Sequence, residues 1–293
     1  MQHNFLPCKH PIICAPMNQV SDLRLALAVH AAGCFPSLVL PNYMTHGVTL
    51  HIDKLENDLK SFNAITGGMN LLFAMDPEYV LNPDIFKLIK RYNISHIELL
   101  CDIADNRAVK QVIRSLRTAG VKFYYKRLEV EQLDDVLDYI DAVTIKGHNA
   151  AARVGTSHVS LVDKVTMLTK NYPGLAIIAS GGIATHSDIL KYLDAGAAAV
   201  CLGTAFALTH ESAISIETKQ KMISSSFDQV VQLGDARQNA LKFSDFKYTD
   251  YNNTGGLREG VRDPTVGHIF AGQAIDTIKS IRSVAELVNS LIE

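Results

Sequence analysis

Short apolar runs alternate along this chain with longer stretches whose apolar residues recur at helical spacing. The runs cover residues 12–15, 37–40, 70–73, 96–100, 122–125, 142–145, 176–179 and 199–202. Apolar residues occupy both sets of alternating positions in most of them, as in strands covered on both faces. Between them, 22–32 places Leu23, Leu27 and His30 on one stripe with Leu25, Ala28 and Val29 beside it, and Gly33 stops it. Residues 105–119 end at Gly120, 160–171 precede Tyr172-Pro173-Gly174, and 186–195 precede Gly196. Glycine just past a helix is the expected stop, because it enters the left-handed conformation cheaply.

This alternation is that of βαβ units. An open doubly wound sheet has the same local pattern. Eight strands close a (β/α)8 barrel, and that count favours the barrel. Beyond the eighth strand the pattern changes. Residues 210–272 read as irregular structure with short helices, and 252–260 are rich in polar residues and glycine. Residues 275–293 read as an amphipathic helix, with Ile275, Ile278, Ile281, Ala285, Val288 and Leu291 near helical spacing. The expectation is one α/β domain over residues 1–293: a TIM barrel with a C-terminal cap segment at about 210–272 and a closing helix at 275–293.

Composition narrows the function. With 47% hydrophobic and 20% charged residues, a sizeable core is expected rather than a disordered chain. The net charge of −2 and the lack of a long basic run argue against nucleic acid or an anionic membrane as partner. The five cysteines form no C-x-x-C pair, and an odd count fits a reducing compartment better than a disulfide framework. The longest apolar stretch, 195–208, is too short to span a bilayer and is broken by Gly196, Gly203 and Thr204. A cytoplasmic protein acting on a small molecule is expected.

The candidate chemistry lies late in the chain. Residues 177–183 read I-I-A-S-G-G-I, an apolar strand ending in Gly181-Gly182, followed by a helix start at Thr185-His186-Ser187-Asp188. Residues 197–204 read A-A-A-V-C-L-G-T and end in Gly203-Thr204. Backbone N–H groups bare of side chains can close on a phosphate, and in barrels this site commonly follows strands seven and eight. One such loop alone is better read as a tight turn; two in succession point to a phosphate.

The stretch 179–212, A-S-G-G-I-A-T-H-S-D-I-L-K-Y-L-D-A-G-A-A-A-V-C-L-G-T-A-F-A-L-T-H-E-S, closely resembles the nitronate monooxygenase family, which also includes FMN-dependent enoyl-acyl-carrier-protein reductases. The opening P-I-I-C-A-P-M-N-Q-V-S at 11–21, G-M-N-L-L-F at 68–73 and the A-G-Q at Ala271-Gly272-Gln273 resemble further segments of that family. The resemblance implies an FMN-binding TIM barrel. By motif it implies that Ala15, Pro16 and Met17 line the flavin ring, that Asn70 contacts the flavin or its ribityl chain, and that Lys146 reaches toward them. Gly181, Gly182, Gly203 and Thr204 would hold the FMN phosphate. NAD(P)H and O2 are the candidate co-substrates, and a homodimer stays open.

One segment departs from the family. Its catalytic region reads G-x-E-A-G-G-H-x-G, whereas 147–155 here reads G-H-N-A-A-A-R-V-G. The glutamate position is Asn149, the inner glycines are Ala151 and Ala152, and the histidine position is Arg153. Arginine stays protonated and cannot serve as a routine general base, but it can clamp an anion. A nitronate is already an anion and need not lose a proton first. The catalytic candidates are therefore Arg153 as anchor, with His148 or Lys146 assisting. His46, His51, His158, His186 and His210 are weaker candidates. Cys201 reads as buried packing, and no catalytic metal is expected. The Ala-Ala pair is expected to force an alanine-compatible loop path. The reading is an FMN-dependent oxidoreductase acting on a small anionic substrate. The alternatives are an enoyl-thioester reductase using NAD(P)H, and an FMN-binding barrel without turnover that serves as a partner subunit.

Overall fold

The computed structural model describes residues 5–45, 49–103, 106–130, 133–244 and 254–293, without the side chains of 254 and 255. Eight strands alternate with helices: β1 (Ile12–Cys14), α1 (Leu23–Ala31), β2 (Ser37–Val39), α2 (Ile52–Thr66), β3 (Leu72–Met75), α3 (Pro83–Arg91), β4 (His96–Leu99), α4 (Arg107–Thr118), β5 (Lys122–Arg127), β6 (Ala142–Lys146), α5 (Leu161–Asn171), β7 (Ala176–Ser180), α6 (His186–Asp194) and β8 (Ala199–Leu202). All neighbouring pairs are parallel, in the order β1-β8-β7-β6-β5-β4-β3-β2. Cys14 N–H donates to Phe35 O at 2.9 Å and Phe35 N–H to Ile12 O at 2.8 Å, which brings the last edge of the sheet back to the first. The result is the α/β TIM barrel expected from the strand count.

The sequence explains the element ends. The side chains of Asp22, Asn82, Asn106 and Ser160 each accept from a backbone N–H in the first turn of α1, α3, α4 and α5. Thr185 and Asp188 form a reciprocal capping box on α6. The inward strand positions Ile13, Leu72, Tyr124, Ala142, Ile178 and Cys201 form an inner core, while the outward ones pack against the helices.

Four expectations need correction. The third strand starts at Leu72, not Asn70. Among the described residues no helix links β5 to β6; the connection has only the single 3-10 turn Leu137–Tyr139. The closing helix, α10 (Val284–Ile292), is shorter than 275–293, because the Ser283–Glu286 capping box starts it late. The cap is not irregular. After the short α7 (Thr204–Ala207) come α8 (Ile216–Ile223) and α9 (Thr254–Arg262), with antiparallel strands Val230–Leu233, Gln238–Lys242 and His268–Phe270. A two-residue strand from the loop after β6, Ala152–Arg153, pairs with Gln238–Asn239. The cap is thereby hydrogen-bonded to the loop that departs from the family pattern.

Candidate active site

The C-terminal ends of the barrel strands open into a cavity of about 650 Å³, a size that suits a cofactor with a small substrate. Of the residues singled out in the sequence, Ala15, Pro16, Met17, Lys146, Arg153, Gly181, Gly182, Gly203 and Thr204 all line it. Two do not. Asn70 is exposed and precedes β3, at the end of the strand opposite the cavity. It would stand at that end even if β3 began at residue 70, as the apolar run suggests. His148 turns its ring onto His158, with centroids 4.6 Å apart, and only its backbone carbonyl is held, by Asn239. Among the weaker histidines, His51 Nε2 lies 2.6 Å from Thr45 Oγ1 and His186 Nδ1 lies 2.9 Å from Leu291 O, while His46 lies outside the described residues. Cys201 is buried, and burial pushes its thiol up to about 12.

The glycine loops pass a simple test for a phosphate cup. A Cβ at Gly182 would meet only Gln273 Oε1, at 4.0 Å, and one at Gly203 would meet only Ala15 Cβ and Met17 Sδ, each at 3.7 Å. Side chains at these positions would therefore occupy cavity space, not protein. Gly181 differs: it packs on the loop after β6, and its Cβ would lie 2.4 Å from that of Ala150.

That loop is fixed from three sides. From below, Lys146 Nζ donates to Ala151 O and Arg153 O, both at 2.8 Å. From the cap, Asn239 Nδ2 donates to His148 O at 3.0 Å and Ala150 O at 2.8 Å. From the A-G-Q segment, Gln273 N–H donates to Asn149 O at 2.9 Å, and Asn149 Nδ2 donates to Gln273 Oε1 at 2.9 Å. Gly272 runs so close that a Cβ would sit 2.7 Å from Ala151 N. The A-G-Q motif thus has a mechanical role as a dock for the loop that carries Arg153.

The loop does not take the alanine-compatible path expected of it. Ala152 has φ +57°, the left-handed region that favours glycine. Left-handed backbone costs a residue with a Cβ about 1–2 kcal/mol, and glycine's greater freedom in the unfolded chain returns part of that. Ala152→Gly is expected to raise stability by about 0.5–1 kcal/mol, read as a melting temperature about 2 °C higher. A lower melting temperature would show that the Ala152 methyl group contributes packing that outweighs the strain.

The floor of the cavity is cationic. Glu98 on β4 is fully buried and accepts from Lys126 Nζ on β5 at 2.7 Å. Lys146 is buried beside this pair. Burial lowers its ammonium to about 7; the charge of Lys126 adds to that, and Cys201 and Glu98 pull the other way. Arg153 interacts with the Cys101 thiol, which in turn donates to Asp76 Oδ1 at 3.1 Å. Lys126, Asp76 and Cys101 went unnoticed in the sequence. The inward alternation of K-F-Y-Y-K-R along β5 is the signal that could have found Lys126.

Among the described residues no helix is long and apolar enough to cross a membrane. In overall structure the chain is similar to FabK from Thermotoga maritima, with a TM-score of 0.82 at 21% identity, covering 98% of this chain and 93% of that one. It is also similar to nitroalkane oxidase from Streptomyces ansochromogenes, with a TM-score of 0.76 at 20% identity, covering 97% and 95%. No curated protein matches the chain in sequence. The family model for nitronate monooxygenase matches residues 1–293, the full length. The chain belongs to the nitronate monooxygenase family and is an oxidoreductase of that FMN-dependent kind.

Proposed function

We propose that FMN binds in this cavity, with its phosphate at Gly182, Gly203 and Thr204 and its ring toward Ala15, Pro16 and Met17. We further propose that the enzyme oxidises a small anionic substrate such as a nitronate. The observation that carries this reading is the lining of one cavity, which combines an open glycine cup at Gly182 and Gly203 with the cationic side chains of Lys126, Lys146 and Arg153. When bound, FMN supplies the electron chemistry, and the protein supplies orientation and charge. Arg153 holds the substrate anion, a role a guanidinium fills well. Lys146, whose ammonium is held near neutrality, fixes the loop carrying Arg153 and can exchange a proton at Nζ.

The test is a visible spectrum of the purified protein, followed by anaerobic titration. A flavin spectrum bleached by an alkyl nitronate, but not by NADH or NADPH, is expected. Bleaching by a pyridine nucleotide alone would replace this reading with the enoyl-thioester reductase. A colourless protein that takes up no FMN would end both.

A further inference from the structure

The cap places a second arginine at the cavity. The hairpin of Val230–Leu233 and Gln238–Lys242 turns through Gly234, and its residues Asp235, Ala236 and Arg237 line the cavity wall. Arg237 has φ +51°, a conformation in which glycine would be the unstrained choice. Its N–H donates to Gly234 O at 3.1 Å, and its carbonyl accepts from Val154 N–H at 3.1 Å. The turn is thus tied to the strand that carries Arg153, and Gln238 is the register partner of Arg153.

The side chain is where the feature becomes functional. Arg237 Nε is buried and has no hydrogen-bond partner. Among the described residues, no carboxylate lies within ion-pair distance of Arg237. The other acids that line the cavity are engaged elsewhere or exposed. Asp102 holds Arg127 and Tyr125, Glu129 holds Lys164 and the Ser157 N–H, and Asp76 accepts from Cys101. Asp235 is exposed at the hairpin tip. A guanidinium keeps its charge and its planar donors at any working pH. Backbone strain and an unmet buried donor at one residue, facing one cavity, point to function more than to structure.

We propose that Arg237 is a substrate-recognition residue that takes an oxyanion on the substrate other than the group held by Arg153. This rests on the reading that the cavity holds a small anionic substrate, and it narrows that substrate to one with a second negative group. The cap hairpin then sets specificity, while Arg153 acts at the reacting end.

The experiment uses the FMN-loaded protein and two non-reacting probes, succinate for a carboxylate source and glycerol 3-phosphate for a phosphate source, titrated by calorimetry. Arg237→Gly removes the side chain at a position whose φ glycine prefers, so the variant is expected to melt no lower than the parent. It should weaken binding of the responding probe about 10- to 100-fold, with Arg237→Lys in between. With substrates, KM for a carboxylate-bearing nitronate should rise by a similar factor at nearly constant kcat, while that for nitroethane nitronate stays put. If neither probe binds the parent, or if Arg237→Gly binds both within twofold of it, the proposal fails. Arg237-dependent binding of a probe in a protein that oxidises no nitronate would retain the subsite and discard the nitronate reading instead.

Discussion

Replacing Gly203 by valine is expected to weaken FMN binding by about 100-fold or more while leaving the fold intact. The two halves of that expectation come from different observations. Gly203 has φ −101°, which any L-residue adopts, so a side chain brings no left-handed strain. Its Cβ would lie 3.7 Å from Ala15 Cβ and Met17 Sδ, ordinary contact distances, so the backbone need not move. The γ-methyl groups of valine have only the cavity to enter. There they would displace a phosphate from the backbone cup proposed at Gly182, Gly203 and Thr204. Hydrogen bonds to a charged group are worth about 1.5–3 kcal/mol each, and losing two of them is a loss of at least roughly 100-fold in affinity. Gly203→Ala is the graded control, because a lone Cβ fits at van der Waals distance; it should lose less than about tenfold. Flavin fluorescence quenching on titration with apoprotein measures both, and a thermal melt checks the fold. A valine variant that melts normally and binds FMN within threefold of the parent would move the phosphate to another part of the cavity.

The same glycines show how far the sequence could be read. The strands were legible because residues such as Ile12–Cys14, Ala176–Ser180 and Ala199–Leu202 are buried on both faces, and such runs are hard to mistake. The glycine loops were legible because they follow two of those strands directly. The cap was not. Its strand Gln238–Lys242 pairs with His268–Phe270 and with Ala152–Arg153, partners nearly thirty and more than eighty residues away by sequence number, and no local period announces such a pairing. Only the turn at Gly234-Asp235 leaves a local trace. The loop after β6 was legible as a departure from its family but not as a shape. The contacts that hold it run from Lys146, Asn239 and Gln273 to backbone carbonyls, which every residue carries and no sequence distinguishes. For the same reason His148 looked like the natural replacement for the missing histidine. It is near Arg153 along the chain, but the fixed loop sends its ring to His158 instead.

Lys146 should give the second large effect, and pH is the variable that exposes it. Its Nζ donates to both Ala151 O and Arg153 O, and it lies in the cavity floor near the Glu98–Lys126 pair. Lys146→Met keeps the length and apolar bulk of the stem but removes both donors, freeing the loop that positions Arg153. A reacting group displaced by about 1 Å can cost on the order of 100-fold, and a loss of roughly that size in kcat/KM is expected. The stability change has a sign that depends on pH. Burial lowers the Lys146 ammonium from 10.5 in the unfolded chain to about 7 in the fold. Below about 7 the group is charged in both states, and the cost of burying the charge is fully present. Between about 7 and 10.5 the unfolded chain binds the extra proton, so stability rises with pH by at most about 1.4 kcal/mol per unit. Above 10.5 the group is neutral in both states and the rise ends. Subtracting the Lys146→Met variant removes the contribution of titrating groups not coupled to Lys146. The stability of the parent relative to the variant, from urea unfolding, should therefore be flat between pH 5 and 6 and climb between pH 7.5 and 9.5. A difference that ignores pH across that range would mean that Lys146 stays charged in the folded protein. The ammonium would then be held by stronger acceptors than two backbone carbonyls, and Glu98, with its second oxygen unpartnered, is the first group to mutate in that event.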